Sequence, residues 1–213
     1  NKMEEMGLLE RVRGGAILKV ASNSVFPIKS RRKLHIDEKM RIAQAANELI
    51  HDGDVVILDN GTTTLELTKL LKKKKIIVIT NDLSIVNELC TSETVTLYVT
   101  GGRLKTDTHY SFIGPDAIRT LKEYHATIAF LGTSTISIEK GLMVFSAEEA
   151  DVKKAMIAVA DRAVCLADYT KFHQTAFVRF AGIEDLYAVI TDRSIPHEDI
   201  AQLESHGVRV ICA

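Results

Sequence analysis

The chain has 213 residues, 46% hydrophobic and 26% charged, with 27 Lys+Arg against 28 Asp+Glu and a formal net charge of -1. That apolar content suffices for the core of one large domain, or one domain with a small appendage, and excludes a disordered chain. The charge balance excludes a strongly basic surface of the kind that grips nucleic acid through its phosphates.

Residues 1–30 break the rhythm of the rest. Gly7, Gly14-Gly15 and the polar Ser22-Asn23-Ser24 read as the tail of something upstream plus a connector, and the chain, which opens on Asn1, is expected to be a fragment. Helices and apolar strands then alternate. Ile42, Ala46, Leu49 and Ile50 share a helical face, and Val55-Val56-Ile57-Leu58 is a buried strand. Thr63 and Glu66 have capping-box spacing and open a helix through Leu70. Ile76–Ile79 is a strand, Leu83, Val86 and Leu89 mark a short helix, and Val95–Val99 is a strand. A helix carrying Ile118 and Leu121 follows Pro115, and Ala126–Leu131 is again strand-like. A second capping box, Ser146 to Glu149, starts a helix through Ala160. Strands at 163–167 and 187–190 precede a helix from His197 to His206, entered through Pro196 and closed by Gly207, and Val208–Ile211 is the last strand. This alternation predicts an α/β fold with a mainly parallel sheet, covered by helices on both faces.

In such a sheet, ligands bind beyond the carboxyl ends of the strands. The first strand ends in Asp59-Asn60-Gly61-Thr62-Thr63-Thr64 and runs straight into a helix. Glycine, three hydroxyls and the free N–H groups of a helix start suit an anion, phosphate above all; the same residues also make a plain strand-to-helix turn. Other strand ends carry Thr80-Asn81, Gly101-Gly102-Arg103, Gly132-Thr133-Ser134-Thr135 and Asp168-Tyr169-Thr170-Lys171. Five such ends together point to a pocket for a polar ligand such as a sugar phosphate, with Asp168 for hydroxyls and Lys171 or Arg103 for phosphate. There is no GxGxxG, no GxxxxGK[ST] and no GxSxG motif, and the 7 His show no pair at helical ligand spacing. No metal and no cofactor are therefore expected. Lys72–Lys75 reads as a solvated run at a helix C-terminus. Cys90, Cys165 and Cys212 form no CxxC pair, which speaks against a zinc knuckle or disulfide framework and for a reducing, cytoplasmic compartment. No apolar run approaches the ~20 residues that cross a bilayer.

From Glu38–Ile50 through Asp59–Thr64, Thr80-Asn81, Gly101-Gly102-Arg103-Leu104, Gly114-Pro115, Phe130–Ser134, Glu149–Lys153 and Asp168–Lys171, the chain resembles the effector-binding domain of DeoR-family bacterial transcription regulators. The resemblance implies a ribose-5-phosphate isomerase-like (NagB/RpiA/CoA transferase-like) fold for residues 25–213. Glu4–Ala16 looks like the exit of that family's winged helix-turn-helix, so residues 1–24 are read as its remnant plus linker. What the resemblance implies is a repressor's sensor for a phosphorylated sugar. It would act on operator DNA through the upstream domain and assemble as a dimer or tetramer. The effector residues it implies are Asp59, Gly61, Thr62, Thr63, Thr64, Asn81, Gly101, Gly102, Arg103, Gly132, Thr133, Ser134, Lys153, Asp168 and Lys171. An isomerase on the same pocket is the alternative. Laid on the isomerases, Lys153 falls where they carry a glutamate base, and a protonated lysine cannot shuttle a proton between carbons. Lys153 then either holds a phosphate or sugar oxygen or is a solvated helix lysine.

Overall fold

The computed structural model describes residues 9–12, 15–18, 31–106 and 110–213. Near the N-terminus, β1 (Leu9–Val12) and β2 (Gly15–Leu18) pair antiparallel as a hairpin, within the stretch read as a remnant and connector. The rest of the stretch read as a DNA-binding remnant and connector lies largely outside the described residues.

From residue 31 the chain builds one open sheet. Helix α1 (Ile36–Asn47) leads to β3 (Val55–Leu58), α2 (Thr62–Leu71), β4 (Ile77–Thr80), α3 (Leu83–Leu89) and β5 (Thr96–Val99). A hairpin of β6 (Arg103–Lys105) and β7 (Ser111–Ile113) precedes α4 (Pro115–Lys122) and β8 (Ile128–Gly132). Next come β9 (Thr135–Ser137), β10 (Gly141–Val144), α5 (Ala147–Ala158), β11 (Ala163–Leu166) and a 3₁₀ turn at Tyr169–Lys171. The chain ends with β12 (Val178–Ala181), β13 (Ala188–Thr191), α6 (His197–Ser205) and β14 (Arg209–Cys212).

Seven of these strands form a wholly parallel sheet in the order β14-β13-β11-β8-β3-β4-β5. The chain winds outward from β3 through β4 to β5. It then returns to the other flank of β3 and winds outward again from β8. The crevice between β3 and β8 is thus a topological switch point, where adjacent connections depart in opposite directions.

Strand residues alternate between two cores. Val56, Leu58, Phe130 and Val164 pack with Ile42 of α1, Leu67 and Leu71 of α2, and Ile85 and Leu89 of α3. Ile57, Leu131, Cys165 and Val189 face the other way, onto Leu121 of α4, Val152 and Met156 of α5, and Leu203 of α6. Period-two alternation in strands buried on both faces turns each apolar run into two half-cores, one per sheet face. The second core also receives Ile136, Leu142, Phe180 and Ala181 from a three-stranded antiparallel sheet, β12-β10-β9, which the sequence reading did not foresee.

Helix starts mostly follow the sequence. Ser146 accepts the Glu149 N–H at 3.4 Å and caps α5, and Asp82 accepts from Ser84 and Ile85 at 2.6 and 3.2 Å to cap α3. The box expected at Thr63–Glu66 does not form. Helix α2 begins one residue earlier, at Thr62, with Gly61 as an extended N-cap that offers no side chain. Glu66 pairs instead with Lys69.

Candidate functional site

Beneath the switch point sits a buried ion pair. Asp59 follows β3 and is 0% exposed; Lys153, on α5, is 2% exposed. The Lys153 ammonium donates to Asp59 Oδ2, donates to the Gly132 carbonyl at 2.9 Å, and lies 5.4 Å from the centre of the Phe180 ring. The Gly132 N–H donates to the same Asp59 oxygen at 2.9 Å. Burial pushes the Asp59 carboxyl above the usual carboxylate range, while Lys153 and the Gly132 N–H pull it back down. These bonds tie the ends of β3 and β8 to α5. Lys153 is therefore no solvated helix lysine, because the helix face it occupies is the one packed on the sheet.

Above this pair opens a cavity of about 340 Å³. Its walls come from the ends of β3, β8 and β11, from the first turn of α2, and from the segment entering α1. Gly61, Thr62, Thr63, Thr64, Gly132, Thr133, Ser134, Lys153, Asp168 and Lys171 all line it. Asp59 lies under the floor. The three α2 threonines are each less than 9% exposed, and because none caps the helix, the first-turn N–H groups face the cavity end of α2 without a side-chain partner from Gly61. Thr64 donates to the Gly61 carbonyl at 2.9 Å. Thr133 is engaged in holding the small sheet, donating to the Thr135 and Met143 carbonyls at 2.8 and 3.2 Å. Asp168 is held by its own turn, accepting from the Thr170 hydroxyl and, at 3.1 Å, the Thr170 N–H.

Four expected residues stand elsewhere. Asn81 is buried and donates to the Phe112 carbonyl at 3.3 Å, fastening the β6–β7 hairpin. Gly101 and Gly102 form the turn into that hairpin with φ of 65° and 100°, and a Cβ on Gly102 would sit 2.7 Å from the Ile113 carbonyl oxygen. Arg103 is exposed and forks onto Glu148, both contacts 2.7 Å. The ends of β4 and β5 lie to one side of the switch point, so these residues do not line the cavity.

Other lining residues escaped the sequence reading. Arg31, Leu34 and His35 precede α1, and Lys39 lies in its first turn. Burial lowers the Arg31 pKa to about 10, against the pull of Glu149 and Asp82. Burial lowers that of Lys39 to about 8, with Asp168 opposing. Lys171 is lowered by burial as well, again opposed by Asp168. Three desolvated cations thus gather at one wall. The acids near them are largely committed: Glu149 pairs with Lys105 at 2.8 Å, and Asp168 serves its turn. A wall of that kind favours a bound anion. Only an arginine just past the stretch read as connector and a lysine in a helix of mixed charge signal it in the sequence. Among the described residues, no group of three or more His, Cys, Asp or Glu could hold a metal ion.

The DeoR C terminal sensor domain family matches residues 34–193 of this chain. The chain belongs to the DeoR family. Its relatives include the putative aga operon transcriptional repressor of Escherichia coli O157:H7, 34% identical over 98% of this chain and 78% of that protein. The HTH-type transcriptional repressor GlcR of Bacillus subtilis (strain 168) is 35% identical over 99% of this chain and 81% of that one. Among solved structures, the tetrameric eIF2B-beta2-delta2 complex from C. thermophilum matches at a TM-score of 0.51 and 17% identity, over 70% of this chain and 45% of that one. This likeness concerns the fold, which is the NagB/RpiA/CoA transferase-like sheet. In this DeoR-family member the sensor domain thus carries the cavity at the sheet's switch point.

Proposed function

We propose that this DeoR-family sensor domain binds a phosphorylated sugar in the cavity over the Asp59–Lys153 pair, and that the chain is the effector-binding part of a cytoplasmic transcriptional repressor. One observation carries the reading. A partly enclosed cavity of about 340 Å³ joins the first turn of α2, rich in threonine, to a wall bearing Arg31, Lys39 and Lys171. The helix start and the cations take the phosphate. Ser134 and the α2 hydroxyls are left to meet sugar hydroxyls. The names of the relatives support a repressor that acts on operator DNA through an N-terminal domain, and a dimer or tetramer is the assembly through which the effector would act. A ligand alters DNA affinity only by binding one arrangement of that assembly better than another.

The committed carboxylates support a sensor over an isomerase. Moving a proton between adjacent carbons needs a free base beside the substrate. Here Asp59 is held by Lys153, Glu149 by Lys105, and Asp168 by Thr170. Thermal-shift titration with a panel of phosphorylated sugars, each beside its unphosphorylated parent, tests the reading. At least one phosphorylated sugar is expected to raise the melting temperature where its parent does not. A folded chain indifferent to the whole panel would reject it.

A further inference from the structure

The segment that brings the chain into α1 is built into the cavity wall, and one cation holds it there. Lys39 doubles back from the first turn of α1. Its Nζ donates to the Arg31 carbonyl at 2.6 Å and the Leu34 carbonyl at 2.5 Å. Two further contacts fasten the same segment. Arg32 Nη2 donates to Ser84 Oγ at 2.8 Å, and the His35 ring meets the Tyr169 ring edge-on at 5.6 Å. His35 is the N-cap of α1 in the left-handed region, φ 52°, with no side-chain cap hydrogen bond. Its conformation is costly for a residue with a Cβ and persists only where surrounding contacts impose it. The covalent path from the β1–β2 hairpin to the sensor domain runs through this segment.

Resting on the cavity's assignment to a phosphorylated ligand, we infer that Lys39 couples occupation of the cavity to the order of residues 31–35. An ammonium has three N–H donors. Two are spent on the backbone of the segment, and the third is available to an anion in the cavity that Lys39 lines. The anion therefore binds without breaking the existing bonds. It also holds the ammonium in its charged form, in which hydrogen bonds to carbonyl oxygen are strongest. The charges that face Lys39 are Arg31 from the segment itself, Glu66 from α2, and Asp168 and Lys171 from the 3₁₀ turn. Asp168 and Glu66 favour the charged form while burial, Lys171 and Arg31 oppose it, so an incoming anion adds to the charges that hold the ammonium protonated. Ligand binding is thus a tightening of the wall through which the N-terminal part of the chain is attached.

Hydrogen exchange on the full 213-residue chain tests this, with inorganic phosphate and glucose 6-phosphate as probes and glucose as control. At pH 8, the phosphorylated probe is expected to slow amide exchange at 61–65 and, severalfold, at 31–36. Lys39→Met should bind the probe more weakly; at probe concentrations raised until 61–65 are protected again, the effect at 31–36 should still be missing. Lys39→Arg, which stays charged, should keep the coupling at pH 9.5, where the wild type loses it. Protection of 31–36 that persists in Lys39→Met, or its absence in a wild type protected at 61–65, overturns the coupling and leaves the cavity's assignment standing. No protection at either place, across the sugar-phosphate panel, removes the assignment and the coupling with it. Should Lys39→Met fail to fold, the Lys39→Arg comparison across pH decides alone.

Discussion

Asp59 and Lys153 face each other where water does not reach, and their value is conditional. A buried pair that keeps its hydrogen bonds is tolerated, but removing one partner strands a charge. Asp59→Asn and Lys153→Met are each expected to cost about 3–5 kcal/mol in urea unfolding. The double variant should recover part of that loss, which would identify the pair itself as the source. Lys39 presents the opposite case, a buried cation without a carboxylate in contact among the described residues. Its pKa stands at about 8 in the folded chain against 10.5 for the free side chain. Between these values the unfolded state binds more protons, so stability of the ligand-free chain rises with pH. Lys39's contribution is therefore unfavourable below about pH 8 and fades as pH climbs toward 10.5. Anion affinity runs the other way and should fall as pH rises through about 8. Parallel denaturation and phosphate-titration series on wild type and Lys39→Met would show both slopes, which should be shallower in the variant because only Arg31 and Lys171 remain to titrate there. Neither residue was legible in full. Lys153 was picked out by its motif, yet burial alone distinguishes a sheet-facing lysine from a solvated one. Lys39 lies within the Glu38–Ile50 stretch that carries the family resemblance, but nothing there singles it out.

Among the elements, capping was readable where the side chain does the work. Ser146→Ala should destabilise by about 1 kcal/mol, by loss of the bond to the Glu149 N–H, and calorimetry would detect it. The same pattern failed at Thr63–Glu66. There the β3 turn delivers Gly61 as N-cap, which places three threonines inside the helix and leaves its first N–H groups for a ligand. Gly102 belongs to this scale too. Its φ of 100° and the 2.7 Å approach of a Cβ to the Ile113 carbonyl predict that Gly102→Ala costs about 1–3 kcal/mol. Because the β6–β7 hairpin lies off the cavity, phosphate affinity should stay unchanged at temperatures where that variant is folded. The seven parallel strands were legible because each is a short, mostly apolar run, with polar residues at strand ends such as Thr96 and Arg209 of the edge strands. The short strands β6, β7, β9, β10 and β12 were not. They are only three or four residues long, most mix in polar residues, and β12 joins β10 across a long stretch of chain, Met143 with Arg179.

For the whole molecule, ligand binding and stability are one measurement. A phosphorylated sugar at a hundred times its Kd should add about 2.7 kcal/mol, which for a chain of this size raises the melting temperature by roughly 5–10 °C. The sequence by itself determined the α/β class, the order of the sheet's helices and strands, and the polar strand ends, since these rest on local periodicity and on residue types at fixed offsets. Family membership was legible from the same motifs in their order. Tertiary structure alone decided which strand ends meet. The switch point lies between β3 and β8, so the ends of β3, β8 and β11 converge while those of β4 and β5, with Asn81 and Gly101–Arg103, are carried away. It also decided that Arg31, His35 and Lys39 line the cavity. Strand order and the docking of the α1 entry are set by packing between residues far apart in the chain, and no local pattern encodes that.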